Sequence, residues 1–187
     1  MTSATDGEFS YPVKVGHVSA NPVTVRLSAD AADLARLKAQ WDVRDVQAFE
    51  AEIVLGRWKR DGVRVKGQVS ATIVQDCVVT LDPVTQRIEE AFEAVFLPES
   101  SRLAKRIQDG TAEIFLDPEG PDQPDTFSGD SIDVGAVAAE FAALAIDPYP
   151  RKEGVEFADR IESLPEDDRE PSPFAVLRTL KRDDSGS

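Results

Sequence analysis

Cys77 is the only cysteine in the chain and His17 the only histidine, so soft-metal and nucleophile chemistry has two side chains to draw on. A structural zinc site takes four ligands, mostly of these two types. Carboxylates would have to complete the set here, and nothing in the spacing arranges them. A nucleophilic cysteine needs a base beside it and surroundings that lower its pKa, for which one distant histidine is thin support. Cys77 therefore reads as a small buried hydrophobe, and His17 is given no role. The acids from Asp117 to Asp133 lack the ligand spacing of a calcium hand and read as a solvated loop. No Gly-rich phosphate loop, nucleophile elbow or paired-carboxylate motif is present. The expectation is a chain that is not an enzyme, with no catalytic residue, no metal and no cofactor.

Binding has one local candidate. Arg57, Trp58, Lys59, Arg60, Arg64 and Lys66 crowd into ten residues with a single acid, Asp61. An exposed tryptophan beside such cations stacks a base while they meet phosphates, which makes this the candidate RNA contact. The competing account, that charged tips keep hairpin edges soluble, carries more weight. Acidic residues outnumber basic ones 35 to 21, giving a formal charge of −14, so the whole-molecule field repels nucleic acid and any such contact must be local. One cysteine excludes an internal disulfide and fits a reducing compartment. No window nears the roughly 18 apolar residues of a membrane span, and Met1 to Ser10 is polar and acidic rather than basic then apolar. The expected setting is the cytoplasm, with no membrane contact.

These residues need a scaffold, and its centre is Val63 to Leu81. Odd positions there run Val63, Val65, Gly67, Val69, Ala71, Ile73, Gln75, Cys77, Val79 and Leu81, against a wet even row that includes Arg64, Lys66, Gln68, Ser70 and Thr72. That alternation is a half-buried antiparallel strand with Cys77 on its dry side. Its length calls for a bend, expected at Gly67 or Gln75. Before it, Phe49 to Leu55 alternates in the same way, and Lys59-Arg60-Asp61-Gly62 supplies a turn whose glycine can take positive φ. After it, Asp82-Pro83 turns the chain into an alternation through Ile88, Phe92, Ala94 and Phe96. The result is a three-stranded meander over about Val46 to Leu97.

Two short strands, Phe9–Val18 and Val23–Leu27, precede a helix over Asp30–Gln40, which Ser28 or Asp30 caps. Arg102–Gln108 reads as a helical turn and Glu113–Leu116 as a short strand. A second strong helix, Asp133–Ala145, is opened by Ser131 or Asp133 and closed before Asp147. The fold class is α+β: an antiparallel, curled sheet of about five or six strands packed by these two helices. Residues 1–8 read as a frayed terminus, 9–150 as one domain, and 151–187 as a charged extension with an amphipathic helix at about 173–182. Phe174, Leu177 and Leu180 on that helix are the candidate partner contact, the alternative being that they cover this protein's own sheet. A curled sheet also admits a ligand pocket, which an apolar cavity along the odd face of Val63–Leu81 would mark.

Gly67-Gln68-Val69-Ser70-Ala71 leading to Cys77-Val78-Val79-Thr80-Leu81-Asp82-Pro83, then Ile132-Asp133-Val134-Gly135, Asp147-Pro148-Tyr149-Pro150-Arg151 and Pro173-Phe174-Ala175-Val176-Leu177, resembles the YceD family of bacterial large ribosomal RNA subunit accumulation proteins. The resemblance runs from Gly67 to Lys181, and the motif positions are Gly67, Cys77, Leu81, Pro83, Asp133, Pro148, Pro150, Phe174 and Leu177. The family's central motif is Cys-x-x-Cys-Leu-x-Pro, which suggests metal and nucleic-acid binding. Here Thr80 stands where the second cysteine would be, which counts against a metal. The resemblance implies a non-enzymatic role in synthesis, processing or stability of large-subunit ribosomal RNA. For so acidic a chain the expected partner is a basic ribosomal protein or a large-subunit assembly factor, met through Asp117–Asp133 and the terminal helix.

Overall fold

A computed structural model describes residues 8–16, 18, 21–108 and 123–154. The chain divides into two units, Met1–Glu153 and Gly154–Ser187, and every strand and helix among the described residues belongs to the first. The central alternation folds as its period requires. Strands β3 (Asp45–Trp58), β4 (Gly62–Asp76) and β5 (Pro83–Pro98) pair as an antiparallel meander. Phe49, Ile53, Leu55, Val65, Val69 and Ile73 of their dry row are each at most 1% exposed. Burying this row is what fixes the register, because a one-residue slip would turn every apolar side chain to water.

At one end β2 (Val23–Ser28) pairs antiparallel with β3, and at the other β6 (Asp125–Phe127) pairs parallel with β5. The sheet order is β2-β3-β4-β5-β6. β1 (Pro12–Lys14) and β7 (Ser131–Asp133) form a separate antiparallel pair. The architecture is thus α+β with a five-stranded, mostly antiparallel sheet, and the expectation of a curled sheet is corrected. Closure needs the first and last strands to hydrogen-bond along their lengths, and β6 has only three residues, paired with Phe96–Pro98.

Helix α1 (Ala31–Trp41) starts where Asp30 Oδ1 accepts from the Ala32 and Asp33 amides at 2.8 and 2.9 Å, while the Asp33 carboxylate reaches back to the Asp30 amide. This reciprocal cap satisfies amides that the first turn leaves without partners. The helix buries Leu37 and brings Trp41 to 5.9 Å from the Phe49 ring. Helix α3 (Val134–Leu144) is capped by Asp133, Ser131 lying in β7. It buries Val134, Ala138, Ala139 and Ala142 and stacks Phe141 on Phe92 at 5.0 Å. α1 lies against β3 and α3 against β4 and β5, so the dry row where a ligand pocket was considered is packed with core side chains. A third helix, α2 (Arg102–Gln108), contacts β5. Val95 pairs with Arg64, which places Val95 and Leu97 on the face opposite the main core, yet both are buried together with Ala104 of α2. A small second core therefore underlies α2 at the hairpin end of the sheet.

Two local expectations are corrected. β4 ends at Asp76, and Cys77–Asp82 form a tight loop, so Leu81 leaves the dry row and is 73% exposed. The left-handed φ at the hairpin tip belongs to Lys59 (51°), not Gly62. Gly62 is held instead by contact, since a Cβ there would lie 2.8 Å from Trp58 Cε3. Pairing passes through Gly67 without a register shift, and the irregularity falls at Val46/Ala48 of β3. His17, the strand considered at Glu113–Leu116, the acids at 117–122, residues 1–7 of the terminus expected to fray over 1–8, and the terminal helix expected to carry Phe174, Leu177 and Leu180 lie outside the described residues. Among the described residues no helix is long and apolar enough to cross a membrane.

Candidate functional site

The β4–β5 connection closes on itself. The Cys77 amide donates to the Asp82 carbonyl at 2.8 Å and the Leu81 amide to the Cys77 carbonyl at 2.9 Å. Leu81 holds φ at 61°, a conformation that bulky L-residues resist and that a tight turn imposes. The segment after α3 is clasped onto this loop. The Val78 amide donates to the Pro150 carbonyl at 2.9 Å, the Lys152 amide to Cys77 Sγ at 3.5 Å, and Lys152 Nζ lies 3.0 Å from Asp82 Oδ2. Two glutamines complete the clasp. Gln75 Nε2 donates to the Asp147 carbonyl, while Gln86 donates to the Ala145 carbonyl and accepts from the Asp147 amide. Gln75 breaks the apolar row where its side chain reaches this segment. Cys77, Leu81, Pro83, Pro148 and Pro150, far apart in sequence, thus belong to one structural site.

The Cys77 sulfur has no exposed surface, yet it is surrounded by donors. The Thr80 hydroxyl first, then the amides of Lys152, Thr80 and Val79, pull its pKa from 9.0 down to about 7, against the opposing effect of desolvation. Asp82 is held below the usual carboxylate range by its hydrogen bond to Lys152 and that ammonium's charge. At Thr80, where the resemblance would put a second cysteine, a hydroxyl instead serves the sulfur of Cys77. Among the described residues no group of three or more His, Cys, Asp or Glu side chains is gathered as metal ligands. Around the sealed sulfur, Val78, Leu81 and Tyr149 are 43, 73 and 70% exposed, so the loop and its clasp turn apolar side chains outward.

The remaining described motif positions make close approaches. At Gly67 a Cβ would stand 2.6 Å from Phe92 Cζ and 3.0 Å from the Glu52 carbonyl oxygen, so the missing side chain lets Phe92 lie over β4 and meet Phe141. Asp133 accepts from the Ser10 hydroxyl, from the Tyr11 amide at 2.8 Å and from the Ala136 amide at 2.9 Å. It ties the amino-terminal segment to the start of α3. A Cβ on Gly135 would lie 2.6 Å from the Tyr11 amide nitrogen, which keeps the same junction tight.

The basic residues divide into two groups. Lys66 Nζ lies 2.7 Å from Glu93, and Arg64 Nε lies 3.2 Å from the same carboxylate without the alignment of a hydrogen bond. Arg57, Lys59 and Arg60 occupy the hairpin tip, where Arg57 Nη2 donates to the Arg60 carbonyl at 2.7 Å. Trp58 is half-buried toward Gly62, and Lys59 Nζ stands 4.2 Å from its ring centroid, so the ring is engaged within the protein. Sequence reasoning missed Arg102 and Arg106 of α2, which line one groove with Lys59 and Arg60. The signal was present as Arg102, Lys105 and Arg106 within five residues, but only the pairing of Val63 with Phe96 brings them to the tip.

No curated protein and no solved structure matches the chain. The family model described as large ribosomal RNA subunit accumulation protein YceD matches residues 65–181, a span that takes in β4 from Val65 onward, the Cys77 loop, α3 and the clasp. The chain belongs to the YceD family.

Proposed function

We propose that this protein is a non-enzymatic cytoplasmic factor that supports accumulation of large-subunit ribosomal RNA by binding a ribosomal protein or a large-subunit assembly factor. The observation that carries this reading is the family match over residues 65–181. Charge supports the choice of a basic protein as partner. The net charge is −14, and a shallow groove of about 390 Å³ on the sheet face opposite the main core is lined by Glu50, Glu52 and Glu89 against the single cation Arg26. Opposed surface potentials steer encounter and fix orientation. The sealed sulfur of Cys77 favours a structural part for the one residue suited to nucleophilic chemistry. Phe174, Leu177 and Leu180 remain the proposed apolar anchors. The test is recovery from cells. The tagged full chain should retain large-subunit precursors or an assembly protein, and Phe174→Asp, Leu177→Asp and Leu180→Asp together should abolish that recovery with the melting temperature unchanged. Recovery of neither by the unaltered chain contradicts the proposal.

A further inference from the structure

We infer that the groove between the β3–β4 hairpin tip and α2 binds the phosphodiester backbone of single-stranded RNA. The groove holds about 510 Å³ and is lined by Lys59, Arg60, Arg102 and Arg106 against one acid, Asp61. Three of the four cations are guanidinium groups, whose planar forks match phosphate oxygens. Both walls are supported. The tip is braced by the Arg57 bond to the Arg60 carbonyl, and α2, with its Ala104 buried, lies against β5, where Val95 and Leu97 are buried. Trp58 is half-buried under Lys59, so the site would follow the backbone rather than stack bases. The net charge of −14 does not forbid this, because at physiological ionic strength charges beyond about 8 Å are largely screened and the groove presents its own cations at contact distance. That the polyanion is RNA rests on the proposed function, and the experiment separates the two.

Fluorescence anisotropy with a labelled single-stranded RNA of about 20 nucleotides tests the groove on the full chain. Binding should weaken with salt with a log–log slope of about −2, the value for three phosphates on a single strand, met by Lys59, Arg60 and Arg102. Arg60→Glu with Arg102→Glu should lower affinity at least about tenfold, and Arg60→Gln with Arg102→Gln by less, both with unchanged melting temperature. Lys14→Glu with Lys38→Glu, which changes the net charge equally away from the groove, should alter affinity less than about twofold. No binding by the unaltered chain, equal losses in the two charge-reversed proteins, or no loss at the groove would overturn the site. If depletion of the protein lowers large-subunit RNA while the groove pair binds RNA normally, the groove fails and the functional reading stands. If depletion leaves that RNA unchanged, the functional reading fails whatever the binding result.

Discussion

At Cys77, burial and electrostatics pull in opposite directions, and their balance can be measured. Complete burial alone would raise a thiol's pKa, but the Thr80 hydroxyl and three amides outweigh it and bring the value to about 7. The folded-state value lies below the ordinary 9.0, so the linked stability is absent at pH below 7. It grows as pH rises through the folded value, and it is complete above the unfolded value. Relative to Cys77→Ala, the unaltered chain should therefore gain stability between pH 7 and 9, read as a widening gap between the two urea midpoints. A constant gap would show that the donors do not favour the thiolate. The residue type alone could not reveal this. A lone cysteine on an apolar row announces burial, and the donors arrive from Thr80, three residues on, and from Lys152, in a distant segment.

At the level of elements, most of what was legible in the sequence came from periodicity, and most of what was not came from contacts between distant segments. The meander β3–β4–β5, the cap of α1 at Asp30 and the run of α3 all follow from alternation or helical spacing that local burial enforces. The end of β4 was misread because Cys77, Val79 and Leu81 continue the apolar count after the backbone has turned. Only the bonds to Asp82 and Pro150 reveal that turn. Gly67 was legible as a special position but not for its reason, which is the Phe92 ring above it. The junction at Asp133 is the firmest test at this scale, because one carboxylate caps α3 and holds the Tyr11 amide. Asp133→Ala should cost about 1–2 kcal/mol in chemical denaturation, whereas Asp133→Asn, which keeps an acceptor oxygen, should recover most of that loss. Equal costs for the two would show that the amide bonds carry little.

For the molecule as a whole, charge is distributed rather than simply excessive. Glutamates line the groove on the sheet face opposite the main core, while cations from two elements meet at the hairpin end. The net charge of −14 therefore coexists with a local basic groove, and the proposed protein and RNA contacts draw on different surfaces. The composition disclosed the acidity, but not the separation, which depends on α2 lying beside a hairpin tip some forty residues earlier in the chain. The most direct measurement of the central claim is the ratio of large- to small-subunit ribosomal RNA in cells depleted of this protein. The account predicts that the ratio falls and that re-expression of the chain restores it; an unchanged ratio would contradict it.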